Sequence, residues 1–405
     1  MTRTLVIVGH GMTGHRLAAR VRELDTGDHW HIVVLAEEPD PAYDRVALSG
    51  YLAGRTRQSL RLSGAEFLQD DRTDLHLGCP VAAVDRTARK VMTAYQGAIS
   101  YDALVLATGS RPFVPPVPGH ELANCFVYRT FGDLDALRAA ARPGAPGVVV
   151  GGGLLGLEAA NALRLLGMRP HVIETAPHVM PAQLDAGAAR VLHRGAEDLG
   201  LRLHCDTAVG SLDGDSSGRV RAVTLKDGAV LDAALVVFAA GIRPRDELAP
   251  GSGLQRAERG GFLVDAYCRT ADPRVWAVGE CAAVEGRCYG LVAPGHRMAE
   301  SVARQLTGLP AEPFDGSDTS TALKLLDVHV ATFGSTSDTD PTLELVFAEG
   351  TSRYAKVFLD PDGSRLRGGI LAGDTGARTT LSAFVGRRPP ADLEQLLLPP
   401  RAANA

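Results

Sequence analysis

The sequence has few cysteines and none in a reactive pattern. Cys79, Cys125, Cys205, Cys268, Cys281 and Cys288 are scattered through 405 residues, and no two are spaced C-x-x-C. That excludes a local dithiol redox centre and argues against an iron–sulfur cluster or structural zinc held by this chain. The spacing predicts free, mostly buried thiols. Long hydrophobic runs are also lacking. No stretch approaches the roughly 20 apolar residues of a membrane-spanning helix, and the longest, around 233–240, reads as a buried strand. Charge imbalance is small. A net charge of −5 gives no reason to expect nucleic acid or a membrane surface as partner, and no isolated patch marks a docking face. The 12 histidines show no H-E-x-x-H or similar spacing, so no metal is expected. Only Met1 to Thr4 precede the first apolar strand, so no leader is expected and the cytoplasm is the expected compartment.

What the chain does have is glycine in two special places. Leu5-Val6-Ile7-Val8 runs into Gly9-His10-Gly11-Met12-Thr13-Gly14, and Val148-Val149-Val150 runs into Gly151-Gly152-Gly153-Leu154-Leu155-Gly156. Each reads G-x-G-x-x-G after a β-branched strand. The first glycine permits the tight turn, the second lets the backbone approach a pyrophosphate, and the third lets helix and strand pack closely. Free N–H groups at the helix start then hold the phosphates. Two such motifs in one chain predict two dinucleotides. The simplest pairing is a flavin with a nicotinamide, and hence electron transfer.

The surroundings fit. A helix is expected over 12–24 and a strand over 32–35, ending at Glu37-Glu38, where a carboxylate suits a ribose hydroxyl pair. Glu38 is the preferred residue and Glu37 the alternative. A strand over 101–106 ends in Ala107-Thr108-Gly109-Ser110-Arg111-Pro112, a small-residue turn that lets the backbone lie close to a flat cofactor. The proline-rich stretch 112–118 reads as a hinge. In the second half a helix over 154–166 is stopped by Gly167, and the strand 171–173 ends at Glu174. A strand over 235–238 enters a second small-residue turn, Ala239-Ala240-Gly241-Ile242-Arg243-Pro244. Strands are expected near 262–264 and 275–278, the latter leading into Gly279-Glu280-Cys281-Ala282. A helix over 294–306 follows, with Pro294 in its first turn. Gly316 to Ser320 reads as a linker. The last segment predicts a small α+β domain with strands near 328–333, 343–347, 354–359 and 368–373 and a short helix over 391–398.

The order of these motifs resembles the two-dinucleotide flavoprotein reductases, the group of rubredoxin and ferredoxin reductases. Glu37-Glu38-Pro39, Ala42-Tyr43-Asp44-Arg45-Val46, Gly279-Glu280-Cys281-Ala282 and Tyr289-Gly290-Leu291-Val292-Ala293-Pro294-Gly295 are more closely similar to the flavin portion of the assimilatory nitrite reductase large subunit. Leu323-Lys324-Leu325-Leu326-Asp327-Val328 and Gly373-Asp374-Thr375 continue the likeness, which also extends to detached electron-transfer subunits of nitrate and nitrite reductases. That large subunit goes on into cysteine-rich iron–sulfur and siroheme modules, absent here, so a separate acceptor is implied. Many relatives carry Leu-Ser-Lys in the early helix, where this chain has Leu48-Ser49-Gly50.

The resemblance implies an α/β fold of two Rossmann-like domains, the second inserted in the first, plus the C-terminal α+β domain. The FAD domain would comprise 1–115 and 241–316, the NAD(P)H domain 116–240, and the third domain 317–405, which in related reductases often makes the subunit or partner contact and points to a homodimer. It implies FAD on Gly9, Gly11, Met12, Thr13 and Gly14, with Glu38 or Glu37 at the ribose. Arg45 would contact the phosphates or the flavin side, or else form an ordinary ion pair. Ala107, Thr108, Gly109 and Arg111 would pass beside the cofactor, Glu280 after Gly279 would accept from a ribityl hydroxyl, and the helix at Pro294 would aim its positive end at the flavin. NAD would lie on Gly151, Gly153, Leu154, Leu155 and Gly156, near Gly241. Glu174, with no Arg or Lys immediately after it, predicts NADH over NADPH. Glu158 would approach the nicotinamide, or else is simply an acid favoured near a helix start. His10 and His296 read as packing or solvent residues. The expected activity is hydride transfer from NADH and electron delivery to a separate iron–sulfur or haem protein in nitrate or nitrite assimilation. An oxygen-using NADH oxidase and a flavin redox sensor are the alternatives.

Overall fold

A computed structural model describes residues 2–64, 67, 69–316, 322–325, 328–336 and 342–397. Contacts divide the chain into two compact units, Met1–Arg111 with Ile242–Asp318, and Pro112–Gly241 with Thr319–Ala405.

In the first unit, five parallel strands lie in the order Val275–Ala277, Ala103–Leu106, Arg3–Val8, Trp30–Leu35, Thr73–His76. The apolar runs are continuous rather than alternating because both faces are covered; Leu5, Val6, Ile7, Leu104 and Val105 are all fully buried. The helix Met12–Leu24 turns Leu17, Ala18 and Val21 inward. The helix Val292–Leu306 buries Met298, Ala299, Val302 and Ala303 in the same core. The Trp30 indole donates to the Leu306 carbonyl at 2.9 Å, tying the end of that helix to the sheet. The unit also holds a three-stranded antiparallel meander, Val81–Asp85, Lys90–Thr93 and Gly97–Ser100, and a small sheet of Phe262–Val264, Ala282–Val284 and Arg287–Cys288.

The second unit repeats the plan. Its parallel sheet has the order Arg202–His204, Arg169–Ile173, Pro146–Val150, Leu235–Phe238, Cys125–Val127, so the strand preceding the glycine turn is again central. A meander of Val209–Gly214, Val220–Leu225 and Val230–Asp232 packs with it. The C-terminal residues form a five-stranded antiparallel sheet ordered Ala322–Leu325, Val328–Gly334, Leu366–Gly373, Arg353–Leu359, Leu343–Glu349. This sheet seats on the helix Ala186–Asp198. The Tyr354 hydroxyl donates to Asp185 at 2.6 Å, and a Cβ on Gly187 would stand 2.7 Å from that hydroxyl and nearer the ring.

The α/β class is therefore as expected. The helix Met12–Leu24 coincides with its expected span, and Leu154–Leu165 stops one residue early, before Gly167 at φ +78°. The helix expected from 294 starts at Val292, which places Pro294 at its third position. The short terminal helix is Leu393–Leu397; Leu398 and linker residues Ser317 to Ser320 lie outside the described residues, as do Leu326 and Asp327. Among the described residues, two helices of ten or more residues were not anticipated, Phe131–Ala140 and Ala186–Asp198. Both carry N-terminal signals: a reciprocal cap between Thr130 and Asp133, and Asp185 accepting from the Ala188 N–H at 2.9 Å. The six cysteines are unbonded, but the burial expectation was too broad: Cys79, Cys268 and Cys281 are buried while Cys288 is exposed. Among the described residues, no helix is long and apolar enough to cross a membrane, and no three potential ligands gather as a metal site.

Candidate functional site

Of the three fingerprint glycines in each turn, one is open and two are crowded. Gly9 at φ +111° and Gly151 at φ +113° have backbones that side chains rarely adopt. A Cβ on either would stand 2.7 Å from a carbonyl carbon, that of Ala107 or of Ala239. The small-residue turns at 107–109 and 239–241 thus have a packing reason that their sequence alone did not reveal. The third glycines are as tight: a Cβ on Gly156 would be 2.8 Å from the Gly151 carbonyl carbon, and one on Gly14 3.1 Å from that of Gly9. Gly11 and Gly153 are different. A Cβ there meets nothing within 4 Å. Both are N-caps, with no side-chain cap and no acid in the first turn of the helices they open. Uncapped N–H groups under open space are what an anionic diphosphate requires. Met12, Thr13, Leu154 and Leu155 form those first turns.

Around the first turn the fold gathers motifs that are far apart in sequence. A Cβ on Gly279 would be 3.1 Å from the Thr13 hydroxyl, and one on Gly295 would overlap that hydroxyl and lie 3.4 Å from Gly279 Cα. The first fingerprint, the Gly279-Glu280 turn and the start of the Val292–Leu306 helix, including buried Pro294, therefore meet at Thr13. Glu280 accepts from the Ser110 hydroxyl at 2.7 Å. The Thr108 hydroxyl donates to the Arg245 carbonyl at 2.5 Å, and Gly109 takes a left-handed φ of +70°. Arg111 pairs with Glu247 at 3.3 Å on the surface.

Both carboxylates expected at a ribose already hold arginines. Glu38 is ion-paired with Arg45 and accepts from the Tyr43 hydroxyl at 2.7 Å, while the Arg45 guanidinium lies 4.8 Å over the Tyr43 ring. Glu37 is ion-paired with Arg245. Arg45 is thus a half-buried organiser of this corner rather than a loose surface charge. His10 accepts from the Ala42 N–H at 3.2 Å through Nδ1. Burial, aided by the nearby His15, pushes its pKa down to about 3, so it is a neutral packing residue. His296 is likewise lowered by burial, then by Arg16.

In the second unit Glu174 is held by backbone. One carboxylate oxygen accepts from the Gly152 N–H at 2.7 Å, the other from the Ala176 N–H at 2.8 Å and the Thr175 hydroxyl at 3.1 Å. A Cβ on Gly152 would stand 2.8 Å from Glu174 Cβ, so the middle glycine, which the fingerprint does not require, is fixed by this contact. Gly241 has φ +109° and open space beside its Cα. Glu158 lies half-buried on the helix after the turn, and burial pushes its pKa up to about 7. Tyr128, 3% exposed, has a phenol with no hydrogen-bond partner. Burial and then the Glu158 charge raise its pKa. Sequence reasoning missed Tyr128, because a single aromatic before a helix cap carries no pattern.

The chain is similar to larger enzymes of nitrogen metabolism. It is 46% identical over 399 residues to the nitrite reductase [NAD(P)H] large subunit of Klebsiella oxytoca, covering 98% of this chain and 41% of that one. It is 35% identical to the assimilatory nitrate reductase electron transfer subunit of Bacillus subtilis, covering 92% of this chain and 48% of that one. The chain thus spans less than half the length of these relatives. A solved ferredoxin reductase from Rhodopseudomonas palustris superposes with a TM-score of 0.82 at 29% identity, covering 92% of this chain and 91% of that one. The family model described as pyridine nucleotide-disulphide oxidoreductase matches residues 3–303. With two glycine turns of one geometry on two parallel sheets, this chain belongs to the pyridine nucleotide-disulphide oxidoreductase family and is an NAD(P)H oxidoreductase.

Proposed function

We propose that this chain takes hydride from NADH onto FAD and passes electrons one at a time to a separate iron–sulfur or haem protein of nitrate or nitrite assimilation. The observation that carries the reading is the pair of open, uncapped helix starts at Gly11 and Gly153, each fenced by glycines that no side chain could replace. The FAD domain would be 1–115 with 241–316, the NADH domain 116–240, and 317–405 the part that meets a partner.

The residues present fit both groups. FAD, when bound, supplies the conversion of a two-electron donor into single electrons. Gly9, Gly11, Met12, Thr13 and Gly14 would present backbone N–H groups to its diphosphate. Glu38 or Glu37 would turn toward the adenosine ribose while Arg45 and Arg245 balance their charge. Ala107, Thr108, Gly109 and Arg111 would flank the cofactor, Glu280 after Gly279 would accept from its ribityl chain, and the helix start at Pro294 would place positive potential near the flavin. Gly151, Gly153, Leu154, Leu155 and Gly156 would seat the NADH diphosphate, with Gly241 and Glu158 toward the nicotinamide. Glu174, fixed by the Gly152 and Ala176 N–H groups, offers a carboxylate to a free 2′-hydroxyl and repels a 2′-phosphate, which favours NADH. No protein nucleophile is needed; positioning and electrostatics are the chain's part.

The absence of any C-x-x-C pair supports electron exit without a protein dithiol. The relatives' names, a nitrate reductase electron transfer subunit and a nitrite reductase large subunit, support the choice of pathway. The test is anaerobic stopped-flow with the purified protein. The flavin band should bleach within seconds with NADH and far more slowly with NADPH. Reduced protein should then reoxidise fast with an iron–sulfur or haem acceptor and slowly in air. A colourless protein that takes up no flavin overturns the reading, and fast reoxidation by air alone replaces it with an oxidase.

A further inference from the structure

The C-terminal antiparallel sheet ends on one side in the strand Leu343–Glu349, whose outer edge meets no other strand among the described residues. An open edge is a row of unpaired backbone donors and acceptors. Folded proteins blunt such edges with short strands, bulges, prolines or lysines. Other edges of this chain follow that rule. The parallel sheets end in strands of three or four residues, Val275–Ala277 and Thr73–His76 in one, Arg202–His204 and Cys125–Val127 in the other. Each meander has one edge of three or four residues, Gly97–Ser100 or Val230–Asp232, and one edge with a register break, Val81–Asp85 or Val209–Gly214. The strand Leu343–Glu349 has none of these devices. It runs for seven residues, Leu-Glu-Leu-Val-Phe-Ala-Glu, and pairs with Arg353–Leu359 in unbroken register. Leu345 and Phe347 lie against the C-terminal core, opposite Val357 and Ala355. Val346, opposite Lys356, belongs to the other face and is 53% exposed, and Leu343 is 43% exposed.

We propose that the edge Leu343–Glu349 pairs with the same edge of a second copy, antiparallel and centred on Val346, so that two five-stranded sheets join across a two-fold axis. This rests on reading 317–405 as the part that meets a partner, and it names that partner as a second copy of this chain. The strand suits itself. About Val346, the fourth of its seven residues, Val346 meets the second copy's Val346, Leu345 meets Phe347, Glu344 meets Ala348 and Leu343 meets Glu349. Leu345 and Phe347 would extend each core across the axis. No carboxylate faces a carboxylate, and both glutamates already hold a cation from the neighbouring strand: Glu344 holds Lys356 at 2.8 Å and Glu349 holds Arg353 at 3.4 Å. Like charges directly opposite are what destabilise such pairs. A two-fold contact uses the same edge on both copies, so the assembly closes at two and leaves no free copy of that edge to seed a fibre.

The test is sedimentation velocity on the full chain over a wide concentration range, with thermal unfolding as the check on fold. Wild type should sediment as a dimer that dissociates on dilution. Val346→Lys sets two ammonium groups against each other at the axis, on a side chain exposed enough to leave the monomer's fold intact. It should weaken association about tenfold or more. Val230→Lys, at an equally exposed position on the short edge Val230–Asp232, should leave association unchanged. As a second measurement, Val346→Cys treated with a short bis-maleimide should give a covalent dimer on a denaturing gel, which neither wild type nor Val230→Cys gives. A wild type that stays monomeric at every concentration overturns the inference. So does a dimer that Val346→Lys leaves intact, or a Val346→Cys variant that does not cross-link. Flavin bleaching by NADH in the same samples keeps the readings apart. A monomer that still bleaches overturns edge pairing alone, whereas a dimer that takes up no flavin overturns the reductase reading.

Discussion

Gly153→Ala and Gly156→Ala differ by one methyl placed three residues apart, and the structure separates their effects. At Gly156 the new Cβ would lie 2.8 Å from the Gly151 carbonyl carbon and nearer still to its oxygen. That neighbour is backbone, fixed by the Gly151 N–H bond to the Ile173 carbonyl at 2.8 Å, and cannot swing aside. Overpacking of this kind costs about 1–3 kcal/mol. At Gly153 the Cβ meets nothing within 4 Å, and the backbone at φ −73°, ψ −176° suits alanine. Its effect on stability should stay within about 1 kcal/mol, because the reduced freedom of the unfolded chain offsets the poorer N-cap. The same methyl would occupy the open space at the helix start, where a diphosphate would lie. Losing one charge-assisted hydrogen bond to a phosphate costs about 1.5–3 kcal/mol, or about 10- to 100-fold in affinity. The assay is denaturant unfolding followed by near-UV circular dichroism, alongside NAD+ titration. Gly153→Ala should fold like wild type and lose the nucleotide; Gly156→Ala should unfold earlier. A Gly153→Ala protein that binds NAD+ within twofold of wild type refutes the assignment of that open space. In the first unit Gly11→Ala should release FAD without loss of fold, and Gly14→Ala should destabilise.

Glu158→Gln should stabilise the nucleotide-free second unit at pH 8 but not at pH 4.5. The folded carboxyl titrates near 7, above its ordinary value of 4.5, so stability present below 4.5 is lost as pH rises toward 7. At about 1.4 kcal/mol per unit the loss approaches about 3 kcal/mol, read as a shift in urea midpoint; a variant less stable than wild type at pH 8 contradicts it. Glu174→Ala removes the acceptor of the Gly152 and Ala176 N–H groups. It should raise KM for NADH about tenfold and shrink the preference over NADPH in steady-state kinetics. Tyr354→Phe removes the 2.6 Å bond to Asp185 and should weaken seating of the C-terminal sheet by about 1 kcal/mol, seen as faster proteolytic release of that sheet.

Sequence legibility followed periodicity and fixed glycine spacing. Both fingerprints, the helices after them and the buried strands around them were visible because each is a long local signal. What stayed hidden depended on contacts across the chain. Gly152 is an unspecified position in the fingerprint, yet the side chain of Glu174 occupies the space its own Cβ would need. Gly279 and Gly295 are distant in sequence and meet at Thr13. The turns at 107–109 and 239–241 looked like cofactor contacts, but Ala107 and Ala239 are first of all the floor under Gly9 and Gly151. The helices Phe131–Ala140 and Ala186–Asp198 were overlooked despite capping residues at Thr130 and Asp185. Tyr128 needed burial and an unpaired phenol to be noticed at all.

The two turns share one backbone geometry but differ in charge, and on the proposed function that difference would separate a resident cofactor from a visiting substrate. In the first unit Glu37 and Glu38 are each neutralised by an arginine, Arg245 and Arg45. Exchanging an arginine partner for a ribose leaves the guanidinium free to pair elsewhere, so a dinucleotide can be held by several charged groups at once and leave slowly. In the second unit Glu174 is satisfied by neutral backbone and hydroxyl donors, and its charge, with that of Asp206, raises the pKa of Cys205 after burial. A site with net negative charge at the ribose end attracts a diphosphate less strongly and penalises any additional phosphate. Weak, fast-exchanging binding of the nucleotide with a bare ribose is what a hydride donor needs, since the oxidised form must depart before the next turnover. On this reading, two glycine turns of the same geometry would reach opposite residence times through the partners of three glutamates.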